Sequence, residues 1–139
     1  MVTNRKPADN PFGEEQGFDV YSDSCPARLV LDHLGDKWAL LILHRLAFGP
    51  RRFNALRRDI SGISQKVLSQ VLKRLERDGL LTRTVTPTVP VTVEYALTQM
   101  GAQLTERVCP LLRWAEDNMP AILGAQDAYD VKQAAAGTG

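Results

Sequence analysis

The sequence predicts an α+β fold that is mainly helical, with a short β-hairpin after the fourth helix. Residues 64–78 place apolar side chains on one face of a helix and polar or basic side chains on the other. Residues 81–86 and 91–97 then alternate with a period of two, which is typical of strands. A helix with a basic outer face that leads into a hairpin indicates a winged helix-turn-helix, a module that lays one helix in the DNA major groove.

The positive charges of the chain are concentrated in its middle. The formal net charge of the 139 residues is only +1, so the overall charge does not indicate a nucleic-acid-binding protein. Between residues 51 and 83 the acidic residues are Asp59, Glu76 and Asp78. The basic residues of the same segment are Arg51, Arg52, Arg57, Arg58, Lys66, Lys73, Arg74, Arg77 and Arg83. We therefore expect a local cationic surface on a nearly neutral protein.

The length and hydropathy of the chain suit one compact domain with tails, or one domain that dimerises. Its apolar runs are far shorter than the roughly 20 residues that a membrane span needs. Its first residues lack the apolar core of a signal peptide. We expect a cytoplasmic protein without a membrane partner, in which Cys25 and Cys109 are reduced at rest.

Three regions are expected along the chain. Residues 1–20 are polar and contain several prolines and glycines, so they are expected to form a flexible arm. Residues 21–120 are expected to form the winged helix-turn-helix domain, including N- and C-terminal dimerisation helices. Residues 121–139 end in Ala-Ala-Ala-Gly-Thr-Gly and are expected to form a flexible tail.

Three short helices are predicted before residue 60. Pro26 suits the first position of a helix because it lacks the N–H group that would be unpaired there, and this helix is expected to end at Gly35. Asp36 is expected to cap a second helix over residues 37–47. Residues 53–59 are expected to form the third helix.

The hairpin and the last helix are also delimited by the sequence. Pro87 and Pro90 confine the bend between the two strands to loop or edge backbone. Thr98 is expected to cap a long final helix that runs to Met119. Pro110 lies inside that helix and is expected to kink or restart it.

The fourth helix has the composition of a DNA-recognition helix. Ser64 is expected to cap it and Gly79 to end it. A major groove about 12 Å wide admits one helix, which needs an apolar back and a polar front. The candidate DNA-binding residues are Arg51, Arg52, Ser64, Gln65, Lys66, Ser69, Gln70, Lys73, Arg77 and Arg83.

These candidates fall into two groups. Glutamines such as Gln65 can form two hydrogen bonds with adenine, through the carbonyl oxygen and the NH2 of the side-chain amide, and Lys66 can reach guanine, so the N-terminal half of the helix suits base recognition. Lys73, Arg77 and the arginines before the helix suit phosphates, which position a protein without reading sequence. The alternative is an amphipathic helix that is only solvated.

Short motifs follow one another over most of the chain. They are Cys25-Pro26, residues 34–38 (Leu-Gly-Asp-Lys-Trp), 49–53 (Gly-Pro-Arg-Arg-Phe), 63–68 (Ile-Ser-Gln-Lys-Val-Leu), 78–80 (Asp-Gly-Leu) and 93–98 (Val-Glu-Tyr-Ala-Leu-Thr), then Pro110 and Trp114. With these motifs the chain resembles the HxlR family of winged helix-turn-helix transcriptional regulators over residues 25–116. The resemblance implies a bacterial homodimer that binds a palindromic operator, with the N- and C-terminal helices at the dimer interface.

The final helix agrees with a dimer, because it is more apolar than a core of this size easily covers. The candidate interface residues are Leu29, Leu104, Val108, Leu111, Leu112, Trp114 and Ala115. Two-fold symmetry would place two recognition helices about one turn of DNA apart. The hairpin departs from the family, whose members often have Pro-Pro and a basic residue before Val-Glu-Tyr. Here Pro90 is followed by Val91 and Thr92, which leaves Arg83 as the hairpin's cation.

Cys25 is a candidate redox sensor. It precedes Pro26 at a helix N-terminus, where the helix dipole favours a thiolate, and Arg28 can add to this effect. A thiolate-prone cysteine near the surface suits oxidation, and the resemblance implies the same, because redox-responsive members of the family use a cysteine in this Cys-Pro position. The alternative is a half-buried cysteine kept for packing. Cys109 is expected to be a buried small residue, or to form a disulfide with Cys25 of the partner subunit.

The remaining polar and aromatic residues suggest no catalysis. His33 and His44 are not spaced like metal ligands and are expected to lie at the surface or in packing contacts. Trp38 and Trp114 are expected to be core or interface residues, or to line a pocket for a small apolar effector. We expect no enzyme activity, metal or cofactor.

The sequence therefore predicts a homodimeric DNA-binding transcriptional regulator whose partner is double-stranded DNA. Its input at the dimer helices would be an oxidant or electrophile acting on Cys25 and would change the half-site spacing. The alternatives are a regulator gated by a small apolar ligand and a winged helix used for protein–protein assembly.

Overall fold

The computed structural model describes residues 18–137, so residues 1–17 of the arm predicted over residues 1–20 lie outside the described part of the chain. Five helices and three short strands follow one another along the described chain. They are α1 (Pro26–Leu34), α2 (Lys37–Leu46), β1 (Arg51–Arg52), α3 (Phe53–Asp59), α4 (Gln65–Arg77), β2 (Leu81–Thr86), β3 (Thr92–Leu97) and α5 (Gln99–Gly137). The fold is α+β and mainly helical, as predicted.

The three strands form an antiparallel sheet with the order β1-β3-β2. Its register pairs Leu81 with Leu97, and one residue further along pairs Thr82 with Ala96. The apolar positions of β2 and β3 therefore share one face of the sheet, which confirms the alternation read from the sequence. The two-residue strand β1 was not predicted, because it is too short to show any periodicity.

The hydrophobic core lies between helices α2 to α4 and the base of the sheet. Leu43, Leu56 and Leu68 come from three different helices, and each has no exposed surface. Leu81 and Tyr95 bring the sheet into the same cluster. Because this packing holds α3 and α4 against α2, the outer face of α4 remains open to solvent.

The predicted helix caps are present. The Asp36 carboxylate accepts a hydrogen bond from the backbone N–H of Trp38 at 2.9 Å, and the Ser64 hydroxyl accepts one from Val67 at 3.1 Å. The Thr98 hydroxyl accepts one from the backbone N–H of Gly101 at 3.0 Å. Gly79 follows α4 with φ of +76°, a left-handed conformation that glycine adopts at little cost.

The last helix is longer than predicted. α5 continues to Gly137, so the predicted end at Met119 is wrong, and the predicted tail is helical over residues 121–137. Pro110 and Pro120 both lie inside α5 without ending it, so the helix does not restart at Pro110. The tail is helical because its sequence is rich in alanine and contains glutamine and lysine, which favour helix.

None of the described helices is both long enough and apolar enough to cross a membrane.

Candidate nucleic-acid interface

The outer face of α4 is a row of polar and basic side chains with solvent in front of it. Gln65, Lys66, Gln70, Lys73 and Arg77 are exposed and Ser69 is half-buried. The opposite face is buried in the core through Leu68, Val71, Leu72 and Leu75. None of the six outer side chains forms an ion pair with another residue in the range 18–137. The two faces are therefore divided as the sequence predicts, with the polar groups free to meet a ligand.

Ser64 has a structural role in addition to its predicted contact. It is exposed, and its hydroxyl caps the N-terminus of α4 through the backbone N–H of Val67. The cap fixes the first turn of the helix, where Gln65 and Lys66 lie. Ser64 therefore positions the residues that the sequence assigned to base recognition.

Arg51 was expected to be available for a phosphate, but its side chain is paired with Asp59. Its Nε atom donates to a carboxylate oxygen of Asp59 at 3.0 Å, and Nε of Arg45 donates to the same oxygen at 2.8 Å. The hydrogen bond from Arg45 and, less strongly, the one from Arg51 hold the pKa of Asp59 below its ordinary value, although burial acts in the opposite direction. The positive charge of Arg51 is thus partly neutralised within the protein.

Arg52 is exposed on the opposite side of β1, next to Glu94 of β3 in the sheet register. It forms no ion pair with any residue of the described chain. Arg52 and Arg58 line a surface groove of about 610 Å³ between the start of α3 and β3. Arg58 was expected only to add positive charge, because a groove between distant segments leaves no local pattern in the sequence.

The hairpin contributes little charge to this surface. Arg83 of β2 is exposed and lies opposite Tyr95, in the same row of the sheet as Arg51. The bend beyond it exposes Val89 completely and Val91 by 61%. The bend is therefore apolar, in line with the departure from the family noted in the sequence.

An ion pair and a hydrogen bond connect the C-terminal end of α4 to the junction of α1 and α2. The Arg74 guanidinium donates to Asp36 at 2.9 Å, and His33 pairs with Asp78 at 2.8 Å. Arg74 was expected to contribute to the cationic surface, but in the structure its charge is paired with Asp36. Asp78 is likewise committed to His33, for which the sequence predicted only a surface or packing role.

Cys25 is the N-cap of α1, as predicted, but it is only 3% exposed and is not near the surface. The segment before it folds into successive turns, closed by hydrogen bonds from Ser22 to Asp19 and from Cys25 to Ser22. The expectation of an accessible thiol is therefore wrong, because the chain before α1 is folded rather than extended. Cys109 is half-buried, and both cysteines are free thiols.

The predicted interface residues divide into two groups. Val108 is 4% exposed within the protomer, and Leu104 packs against the core. Val108 is therefore unavailable to a partner, whereas Leu104 is only partly buried, because the first turns of α5 pack on the domain. Leu29, Leu111 and Trp114 are more than half exposed. Ala115 is also exposed and Leu112 is half-buried.

The two tryptophans lie in different surroundings. Trp38 packs against the core, and Lys37 Nζ lies 4.6 Å from the centre of its ring. Trp114 borders a shallow cavity of about 460 Å³ whose lining comes from α5 alone, with Cys109 and Arg113 among it. The cavity beside Trp114 therefore does not include the ring of Trp38.

Comparison with known proteins agrees with this geometry. The model of the HxlR-like helix-turn-helix family matches residues 33–122. The helix-turn-helix-type transcriptional regulator YtfH of Escherichia coli K12 is 45% identical over 109 residues, which are 78% of this chain and 86% of that protein.

Solved structures show the same fold. The ytfH protein of Salmonella typhimurium superposes with a TM-score of 0.75 at 42% identity, over 78% of this chain and 97% of that one. The redox regulator HypR in its oxidised form superposes with a TM-score of 0.63 at 38% identity, over 68% of this chain and 97% of that one. The chain therefore belongs to the HxlR-like helix-turn-helix family of DNA-binding transcriptional regulators.

Proposed function

We propose that the protein binds a palindromic operator as a homodimer and reads it with the outer face of α4. The observation that carries this proposal is the row of polar and basic side chains on α4, which no residue of the described chain neutralises. A recognition helix needs a docked back and a free front, and α4 has both.

The unpaired side chains on the outer face of α4 form two groups, according to the part of the DNA that each can reach. Gln65, Lys66, Ser69 and Gln70 lie in the N-terminal half of α4 and suit base edges. Lys73 and Arg77 lie further along the helix and suit phosphates. The exposed Arg52 and Arg83 extend the phosphate surface, whereas Arg51 contributes less because Asp59 holds it.

The dimer is supported by apolar surface that the protomer leaves uncovered. α1 has no buried residue, and its Leu29, Val30 and Leu31 are all at least 41% exposed. Leu111 and Trp114 are exposed in the same way on α5. Soluble monomers rarely expose large apolar patches, and a second copy of the chain would cover these residues.

Gel-shift titrations test the DNA-binding roles with a duplex selected by the protein from a random pool. Lys73→Ala should weaken binding to every duplex alike and reduce the slope of log affinity against log salt by about 1. Gln65→Ala should relax the preference at one base pair, at a cost of about 1–3 kcal/mol in discrimination. Equal effects of both variants on selected and random DNA would contradict this assignment. Absent or salt-insensitive binding would instead favour a role in protein assembly.

We also propose that oxidation of Cys25 controls binding. The similarity to the redox regulator HypR supports this input, and burial of Cys25 means that α1 must move before the thiol reacts. With diamide, two thiols lose two electrons and two protons to the reagent and form a disulfide.

Non-reducing gels of the treated protein test this input. Diamide should produce a covalent dimer and weaken DNA binding, and Cys25→Ser should abolish both effects. A dimer band that survives Cys109→Ser would exclude the pairing of Cys25 with Cys109 of the partner subunit. Unchanged DNA binding after treatment would exclude the redox input.

A further inference from the structure

We propose that His33 and Asp36 are positioning residues that fix the orientation of α4 for DNA recognition. Asp36 forms an ion pair with Arg74 in the C-terminal half of α4, and His33 forms a hydrogen bond with the C-cap residue Asp78. The two contacts together act as a two-point clamp. This inference rests on the proposed DNA-binding role of α4. It adds residues that lie outside the DNA-contacting surface and connects them to specificity.

The first point of the clamp is the carboxylate of Asp36. One of its oxygens accepts the N–H of Trp38 at 2.9 Å and so starts α2, and the other accepts a guanidinium N–H of Arg74 at 2.9 Å. Nε of Arg74 is buried and has no hydrogen-bond partner within the described chain. The partly buried guanidinium therefore depends on Asp36 for its compensation.

The second point joins α1 to the end of α4. Nδ1 of His33 lies 2.8 Å from a carboxylate oxygen of Asp78, and both side chains are 17% exposed. Asp78 is the C-cap of α4, and its N–H donates to the carbonyl of Arg74 at 2.9 Å. The contact thus acts on the last turn of the recognition helix.

The spacing of the two points makes them effective together. Arg74 and Asp78 are four residues apart, so they lie on one side of α4 about one turn from each other. A single contact allows a helix to tilt about that point, whereas two contacts at different positions along the helix restrict the tilt. Lys66 lies about 12 Å along the axis from Arg74, so a tilt of about 10° would displace it by about 2 Å. Such a displacement is enough to break the hydrogen bonds that read a base.

Removal of an acidic residue of the clamp distinguishes positioning from electrostatics, because the two have opposite effects on the affinity for the selected duplex. If charge alone acted, loss of a carboxylate near a DNA-binding surface would strengthen binding to all DNA. If the clamp positions α4, affinity for the selected duplex falls while affinity for unrelated DNA stays the same or rises. Asp36→Asn suits the test because asparagine also caps helices. Asp32→Asn is the matched control, since Asp32 is exposed on α1 and no described residue pairs with it.

The experiment measures the affinity of the full-length protein for the selected duplex and for an unrelated duplex of equal length, at one salt concentration. We expect Asp36→Asn and Asp78→Asn each to lower the preference for the selected duplex by about 3- to 10-fold. Asp32→Asn should leave the preference unchanged. Equal or tighter binding of both duplexes by Asp36→Asn would overturn the clamp.

A second set of variants tests the His33 contact independently. His33→Ala removes the hydrogen bond to Asp78 and should lower the preference, whereas His33→Gln retains a donor and should restore part of it. Thermal unfolding of each variant shows whether the fold is intact, and we expect a loss of preference in a protein that still unfolds cooperatively, with a Tm only a few degrees lower. A wild-type protein without any preference among duplexes would refute the proposed function itself, which is a separate outcome.

Discussion

At the scale of single residues, Asp59 determines how much charge two arginines present to solvent. Its carboxylate oxygen accepts hydrogen bonds from Arg45 and Arg51, and both lower its pKa. The contact also ties the end of α3 to α2 and β1. Asp59 therefore contributes to stability and reduces the charge of one predicted DNA contact at the same time.

The stability that Asp59 provides should depend on pH. Because its pKa in the folded protein lies below the ordinary value of 3.8, the carboxylate stabilises the fold above that pH, and the contribution is lost as the pH falls through the lowered pKa. Asp59→Asn should lower the free energy of unfolding near neutral pH by about 1 kcal/mol, the upper end for exposed ion pairs. The difference from wild type should shrink in acid. Urea unfolding across the pH range measures this difference in the free energy of unfolding. Asp127→Asn, at an exposed position of α5, is the control, and its difference from wild type should not change with pH.

The residues that sequence predicts well are those that act on close neighbours. The caps Asp36, Ser64 and Thr98 bond to backbone groups no more than three residues away, so their role is visible in the sequence. The clamp joins residues 38 and 45 positions apart, and no local pattern can reveal such pairs. For the same reason Arg74 was placed on the cationic surface and Cys25 near solvent.

At the scale of elements, the start of α5 is fixed by a close approach to the hairpin. A Cβ atom on Gly101 would lie 1.9 Å from the carbonyl oxygen of Leu80, so only glycine fits there. Around it, the Thr98 hydroxyl donates to the carbonyl of Gly79 at 2.6 Å, and Thr105 donates to that of Gly101 at 2.7 Å. This contact sets the direction in which α5 leaves the domain.

Two glycine substitutions in the same helix should have opposite effects. Gly101→Ala should destabilise the protein by several kcal/mol or shift the start of α5, because backbone atoms of Leu80 must move to admit the methyl group. Gly124→Ala meets nothing within 4 Å and should stabilise the helix by about 0.5–1 kcal/mol. Thermal unfolding of the two variants against wild type decides this. An equal gain from both would show that the close approach is absent in solution.

The elements themselves were largely predictable, and the failures have physical causes. The order of helices and strands and the start of each helix follow from periodicity and capping residues. The end of α5 does not, because Pro110, Pro120 and Gly124 indicate breaks that the structure does not contain. A helix tolerates such residues when their neighbours favour the helical state.

At the scale of the whole molecule, the exposed apolar residues of α1 and α5 should decide the oligomeric state. Trp114→Glu places a charge in the surface that a second copy is proposed to cover, and it should convert the dimer into a monomer. Light scattering coupled to gel filtration should report twice the chain mass of 15.4 kDa for wild type and a single chain mass for the variant. Val89→Glu at the tip of the hairpin is the control and should remain dimeric, since that position is fully exposed. A monomeric wild-type protein would contradict the dimer.

The polar face of α4 could be predicted from the sequence, whereas the tertiary contacts around the candidate DNA surface and the burial of Cys25 could not. The free face of α4 follows from a helical repeat in 13 residues of the chain. The groove beside Arg58, the charge pair of Arg51 and the burial of Cys25 require tertiary packing, in which segments far apart in sequence meet.

The length of α5 has a consequence for the hydrodynamics of the protein. Its 39 residues amount to about 58 Å of helix at 1.5 Å per residue, whereas a spherical domain of this size has a radius of gyration of roughly 14 Å. A helix that projects beyond the domain raises the friction coefficient without adding mass. The monomer should therefore elute from a sizing column earlier than a sphere of equal mass, and subunits must be counted by a method that reports absolute mass.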